Sequence, residues 1–346
     1  MADQRKLSRR IDEEAQYRPT SVSPPFPRSI LMEVSSLCNH RCVFCAYPKS
    51  TRPGTRMELG MVERLLREAY TLGSREAGFY SGAEPFTAPD LEAIVALAKQ
   101  VGYDYTFIST NGSLANEARL TKLIDAGLDS VKFSINAADR ETYRRIHGQD
   151  HFDRVLRNLR FAHDYRERSG SSMYIAVSYV TFDREGMRTS ADRAAFERLV
   201  GPWADEVIFW EATSENGQMA GLGPSGVTAP CWLPFNRVHV SAEGYLRLCC
   251  NDYQNYLCVA DLRETTLADA WRAPIFREMR QRHLDGRLEG TLCHNCVNNV
   301  NDPIEPLVPS LAVPVNADFF AYRPGTMMSA ERDHQDHPAT RPPHGV

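Results

Sequence analysis

Residues 29–211 predict an α/β fold built on a parallel sheet, and residues 231–301 predict a small cysteine-rich unit behind it. Three observations carry this expectation. Six short apolar runs alternate with stretches of helical period, each run ends in a polar or glycine-bearing loop, and six of the nine cysteines lie beyond residue 230.

The elements follow in order. Residues 1–28 are charged and then proline-rich (Ser23-Pro24-Pro25-Phe26-Pro27), and read as an extended N-terminal arm. Ile30 to Val34 is the first strand, and it ends in a cysteine loop. From Met57 to Leu72, apolar Leu59, Val62, Leu65, Leu66 and Ala69 recur at helical spacing, with Gly73 as the stop. Ala77 to Tyr80 is a strand delivering the loop Gly82-Ala83-Glu84-Pro85, and Asp90 stands where it can cap a helix running to Gln100. Tyr103 to Ser109 leads into Thr110-Asn111-Gly112, Ala115 to Ala126 is a helix stopped by Gly127, and Val131 to Ile135 is a strand ending near Ser134. A long helix from Phe152 to Arg168, a strand from Met173 to Val180, a helix around Ala194 to Val200 and a strand from Val207 to Trp210 complete the alternation. Residues 212–230 are glycine-rich and polar and read as a linker, whereas the proline-rich residues 302–346 lack apolar period and read as a disordered tail.

Composition excludes several classes of function. A chain of 346 residues with 42% hydrophobic content has enough apolar side chains for a full core. Its 40 basic and 44 acidic residues give a net charge of −4, so no global field favours nucleic acid. No run of eighteen apolar residues exists, nothing at the N-terminus has the apolar centre of a signal peptide, and the expected location is the cytoplasm. Cysteines at motif spacing in that compartment point to ligands or catalysts rather than disulfides.

Cys38, Cys42 and Cys45 stand at the spacing CxxxCxxC in a loop whose intervening Asn39, His40 and Arg41 are polar. Three thiolates are one short of the four that a tetrahedral zinc or an iron–sulfur cluster needs, which leaves one metal position for another ligand. In a parallel α/β fold the residues at strand C-terminal ends form the site. That rule gathers the three cysteines, the Gly82 loop, Ser109, Thr110, Ser134 and Val180 around one mouth.

The triplet with Phe44 before its last cysteine, followed by Gly82-Ala83-Glu84-Pro85, resembles the radical S-adenosylmethionine (SAM) superfamily. Ala83 stands where the family has a second glycine. The resemblance implies a partial (β/α)6 TIM-like barrel and a [4Fe–4S] cluster on Cys38, Cys42 and Cys45 whose open iron binds SAM. By the same resemblance Phe44 meets adenine, Gly82, Ala83, Glu84 and Pro85 serve the methionine amine, and Ser109, Thr110, Ser134 and Val180 flank the ribose or carboxylate. It also implies an electron donor such as flavodoxin or ferredoxin.

Beyond the linker, Val238 to Val240 and Tyr245 to Leu248 flank Ser241-Ala242-Glu243-Gly244, a hairpin signal that brings Cys231 and Cys249 to comparable height. A helix from Thr266 to Leu284, with Thr266 and Asp269 at capping-box spacing, leads to Cys293-His294-Asn295-Cys296. Four thiolates complete either a cluster or a structural zinc. The arrangement resembles the auxiliary-cluster domains of the SPASM and twitch subfamilies, of the shorter type with one cluster, and is similar to that of the deoxy-scyllo-inosamine dehydrogenases of antibiotic biosynthesis.

These features predict a radical enzyme acting on a polar small molecule such as a cyclitol, aminosugar or nucleoside. The favoured outcome is oxidation of an alcohol, with the auxiliary cluster taking the electron and Glu211, at the end of the last strand, as acid–base candidate. Radical epimerisation with Cys250 or Cys258 as hydrogen donor, peptide maturation, and a zinc-stabilised binding protein are the alternatives.

Overall fold

The computed structural model describes residues 7–184, 187–188, 192–219 and 221–314. Its sheet places β1 (Ser29–Met32), β2 (Glu76–Gly78), β3 (Tyr105–Thr110), β4 (Ser130–Ser134), β5 (Tyr174–Thr181) and β8 (Glu206–Glu211) side by side, every neighbouring pair parallel. Between β5 and β8 a two-residue ribbon pairs β6 (Asp183–Arg184) with β7 (Met187–Arg188).

Helices α2 (Leu59–Thr71), α3 (Leu91–Val101), α4 (Glu117–Asp125), α5 (Arg140–His147), α6 (Phe152–Ser169) and α7 (Arg193–Val200) supply the crossovers. Strand residues of one parity, including Ile30, Met32, Ile108, Val131, Phe133, Ile175 and Val177, are buried with Leu65, Leu66, Ile94, Leu123 and Leu159 of the helices in the main core. Residues of the other parity face the barrel lumen, because successive strand side chains alternate. The expected glycine stops stand: Gly73 and Gly127 follow α2 and α4 with φ of 116° and 86°, where a side chain would be strained.

Four differences from the sequence expectation have physical causes. The N-terminal arm contains a helix, α1 (Leu7–Ala15), whose Leu7 packs with Tyr174, Ala176 and Ile208 on the lumen face of the sheet. The second unit is not a separate hairpin. After the short α8 (Leu233–Asn236), β9 (Arg237–Val240) pairs parallel to β1, in register Ser29↔Arg237 to Met32↔Val240, and so adds a seventh parallel strand. Then β10 (Tyr245–Arg247) and β11 (Cys258–Asp261) follow antiparallel at that edge.

The helix expected over 266–284 is two: α9 (Leu267–Arg272), capped by Thr266 as expected, and α10 (Pro274–Asp285). Pro274 lacks the N–H a continuous helix needs and suits the first turn of a new one. The unit closes with α11 (Leu292–Asn298), which carries Cys293 and Cys296.

Finally, residues 302–314 of the expected tail are laid back on this unit. Leu307 N and Val313 N donate to the carbonyls of Tyr256 and Gln254, and Ile304 and Leu307 pack on the core. The rest of the expected tail lies outside the described residues. No helix among the described residues is long and apolar enough to cross a membrane.

Candidate active site

The cysteine loop leaves β1 and is pinned from both sides. Arg41 N and Val43 N donate to the carbonyls of His147 and Ile146 at the end of α5, while Asn39 bonds Ser113 and Asn111 beyond β3. Inside that frame Cys38, Cys42 and Cys45 are only half-buried, as the polar residues between them predict. Burial pushes the Cys38 thiol up to about 12, with Glu84 adding to it, and burial plus the charges of Cys45 and Cys38 raises Cys42. Three soft donors that repel one another as anions fit a shared cationic metal centre.

A histidine trio stands behind Cys42. His147 Nε2–H donates to the Ile135 carbonyl at 2.8 Å, which leaves its Nδ1 as the acceptor 3.2 Å from Cys42 Sγ and 3.3 Å from His40 Nδ1. Burial lowers His147 to about 4, so it is a neutral orienting group. His40, Cys42 and His147 also bring ligand atoms within 4.8 Å of one another, and the Nε2–H bond to Ile135 turns the lone pair of His147 Nδ1 toward the other two.

The Gly82 loop divides its expected roles. The Glu84 carboxylate does not face the mouth; it accepts from Thr110 Oγ1 (2.7 Å), Asn111 N (2.7 Å) and Phe86 N (3.1 Å) and is 2% exposed. Burial raises it to about 7 despite these bonds. Glu84 and Thr110 therefore brace the ends of β2 and β3, and Pro85 begins the buried turn that follows. Gly82 and Ala83 keep the exposed backbone of the loop, and Ala83 packs with Cys38, Cys45, Ala46, Tyr47 and Tyr253.

Phe44 lies 6.0 Å from Phe182, ring centre to ring centre. Ser134 accepts from Ser178 Oγ at 3.3 Å on the lumen side, and Val180 N donates to Asn136 Oδ1. Ser109 lies one rung deeper, lining the lumen rather than the mouth.

The second set gathers five sulfurs rather than four. Burial raises the Cys231, Cys293 and Cys296 thiols, with neighbouring cysteines adding to it, and Cys250 lies among them, its hydrogen bond to Cys249 being the largest cause that raises the Cys249 thiol. That bond, with Arg237 and Arg247 nearby, lowers the Cys250 thiol in spite of burial. Asn251 N points at Cys249 Sγ from 3.4 Å and Ser225 Oγ lies 3.3 Å from Cys296 Sγ. Cys258, expected as a possible hydrogen donor, is fully buried within β11 opposite Arg247.

The two sulfur sets meet through residues that the pattern of the sequence did not single out. Tyr253, four residues past Cys249, is buried with its hydroxyl 3.5 Å from Cys45 Sγ. A Cβ on Gly82 would stand 2.7 Å from the Tyr253 ring, so only glycine allows this approach. Ser81 Oγ donates to the Cys250 carbonyl and accepts from Arg247.

Glu211 is exposed at the end of β8. The enclosed carboxylate is Glu215, four residues on, in the segment expected to be a linker. It accepts from Ala46 N at 2.7 Å, shares a hydrogen bond with Tyr253, and is raised to about 7 by burial. Glu215, Asn216 and Gly217 all have positive φ (44°, 64° and 79°), and the Asn-Gly pair is the one local signal of that turn.

Residues 32–188 match the model of the radical SAM superfamily, and residues 231–297 match SPASM, an iron-sulfur cluster-binding domain. The chain carries a radical SAM domain and an SPASM domain. It is 35% identical over 133 residues to GTP 3′,8-cyclase of Chlorobaculum tepidum, covering 38% of this chain and 39% of that protein. It is 32% identical over 136 residues to a probable GTP 3′,8-cyclase of Methanothermobacter thermautotrophicus, covering 39% and 44%. The chain thus spans about two fifths of the length of these curated relatives.

Among solved structures, BtrN in complex with AdoMet and 2-DOIA aligns with a TM-score of 0.54 at 18% identity, over 79% of this chain and 92% of that one. SuiB of Streptococcus suis bound to the precursor peptide SuiA aligns with a TM-score of 0.61 at 14% identity, over 79% and 70%. These likenesses give the fold: a partial barrel of parallel strands and helices with a smaller C-terminal domain. The two domains together imply a SAM-binding [4Fe–4S] cluster and auxiliary iron–sulfur ligation, and the two cysteine sets have the donors for both. The sequence holds no cysteine after Cys296, so the second set suffices for one auxiliary cluster.

Proposed function

We propose that this chain oxidises an alcohol group of a polar small molecule held in the barrel lumen. Cys38, Cys42 and Cys45 would hold a cluster that binds SAM and would supply radical hydrogen abstraction, and Cys231, Cys249, Cys293 and Cys296 would hold a second cluster that would supply a one-electron acceptor. The chain's own part is to position, enclose and deprotonate. The lumen between β3, β4, β5 and α1 would receive the substrate below the mouth and orient it. Glu215, with a carboxylate near neutral pKa beside Tyr253, takes the proton of the alcohol. Glu211 loses that role because it is exposed.

The observation that carries the reading is the Tyr253 bridge. One short segment, Cys249 to Tyr253, supplies a sulfur of the second set and a hydroxyl against a sulfur of the first. A purely structural second metal would not need that contact. The nucleotide in the printed names of the curated relatives keeps nucleosides and their phosphates among the candidate substrates.

The test is stoichiometry under anaerobic turnover with a metabolite extract. One 5′-deoxyadenosine per product lighter by two hydrogens supports oxidation. A product of unchanged mass that gains solvent deuterium means epimerisation, a modified peptide means maturation, and colourless protein holding zinc ends the enzyme reading.

A further inference from the structure

Below the mouth the lumen holds a cavity of about 50 Å3, room for a small ionic group, that opens to solvent. Its wall is ordered by strand register: Ser109, Lys132 and Ala176 are partners across β3, β4 and β5. One rung nearer the mouth stand Ser134 and Ser178, and one rung deeper stand Phe107, Ser130 and Tyr174. Leu7, Arg10 and Ile11 of α1 close the far side.

Every charged group named around this space except one has a counter-charge, a ring partner or a hydrogen-bond donor from the protein. Glu206 accepts from Leu7 N at 2.8 Å and Ser8 N at 3.3 Å, the first turn of α1. Arg10 pairs with Glu76 at 2.6 Å and lies 3.7 Å over the Tyr105 ring. Asp129 is held by Lys99 and by the Thr106 amide and hydroxyl. Arg237 lines the same wall, its guanidinium over the Trp232 ring. Lys132 is the exception: among the described residues no carboxylate or carbonyl accepts from its Nζ, and burial alone moves it, down to about 8. It is therefore still protonated at neutral pH, a desolvated ammonium facing open space without a counter-ion.

An uncompensated cation drawn out of water is costly: Glu76 and Asp129 are paired with Arg10 and Lys99, and Glu206 is held by hydrogen bonds from α1 and Tyr174, so Lys132 faces the cavity without a counter-charge of its own. We propose that the lumen selects a substrate bearing an anionic group, a carboxylate or a phosphate ester, and that Lys132 Nζ is its counter-ion. This rests on the reading of the lumen as the substrate site and narrows it. A free aminosugar or aminocyclitol would bring a second ammonium against the first, so acids and phosphorylated molecules replace amines among the candidate substrates.

The test is protection of Lys132 from amine acetylation in cluster-loaded, SAM-bound protein, read by peptide mass spectrometry. Inorganic phosphate, acetate and methylammonium are the probes, and exposed Lys122 is the internal control. A pocket-bound anion in excess of its dissociation constant lowers Lys132 labelling by about tenfold, with Lys122 unchanged. Protection by phosphate alone assigns a phosphoryl group, and protection by acetate a carboxylate. No protection by either anion, or equal protection by methylammonium, overturns the proposal. SAM binding measured in the same samples keeps the two readings apart. Protein that binds SAM but leaves Lys132 unprotected removes only the anion subsite, whereas protection without SAM binding removes the enzyme reading.

Discussion

The clamp between barrel and auxiliary unit is a buried ion network centred on Arg52, and its removal gives the sharpest stability prediction. Arg52 donates to Glu33 at 2.6 Å and to Glu243 at 3.0 and 2.9 Å, with side-chain exposures of 5%, 1% and 12%. Glu33 follows β1, Arg52 ends the cysteine loop, and Glu243 sits in the β9–β10 turn, so one guanidinium ties the three segments together. Arg52→Met would leave Glu33 buried with only Ala242 N (3.1 Å) and the more distant Arg247 (3.5 Å).

Stranding one charge of a buried pair costs about 3–5 kcal/mol; the residual Arg247 contact puts this case near 3 kcal/mol, or about 4 °C in the melting temperature of a chain this long. The double variant Glu33→Gln/Arg52→Met removes the stranded charge and should regain at least about half of that loss. Thermal unfolding of the cluster-loaded protein measures both. A single-variant loss under about 1 kcal/mol, or a double variant no more stable than Arg52→Met, would refute the reasoning.

The sign with pH follows from Glu243. Burial pushes its carboxyl up, but Arg52 more than reverses this and holds it below the usual range. A depressed carboxylate contributes stability above its unfolded pKa and loses it as the pH falls through the folded one. The wild type should therefore lose this contribution below about pH 4.5, and Arg52→Met should show a flatter acid limb.

Four further outcomes are expected. Gly82→Ala drives a methyl into the Tyr253 ring and should cost about 1–3 kcal/mol in thermal unfolding while altering the electron paramagnetic resonance spectrum of the first cluster; an unchanged spectrum would separate Tyr253 from Cys45. Alanine at Cys38, Cys42 and Cys45 together should lower iron from about eight to about four per chain and abolish SAM cleavage, which sinks the cofactor reading if cleavage persists. Glu215→Gln should slow product formation roughly a hundredfold or more while Glu211→Gln leaves it unchanged, and equal effects would return the acid–base role to neither. Cys258→Ala should leave product identity unchanged and cost about 1 kcal/mol of stability, as for loss of a small core side chain, whereas a lost epimer would restore Cys258 as hydrogen donor.

The alternation of apolar runs with helical stretches was legible because strand and helix periods are local. The strands from Ser29 to Glu211 and the helices after them lie within a few residues of where period, caps and glycine stops put them. The exceptions are α1 and α5, short, strongly charged helices whose own sequences announce little, and the two-residue strands β6 and β7. The thiolate triplet was legible for the same reason, since CxxxCxxC places three sulfurs on one loop whatever surrounds it.

What the sequence by itself determined is thus the class of fold, the two cysteine sets and the loops at the strand ends, all of which depend on spacings of a few residues. Only the tertiary structure decided that β9 lies beside β1 across some two hundred residues, and that α1 closes the lumen over Lys132. It alone exchanged Glu211 for Glu215 and set Tyr253 against Cys45. The physical reason is that burial and charge compensation are sums over distant neighbours. A lysine in a strand reads as solvated until the helix that covers it, and the absence of a carboxylate beside it, are known.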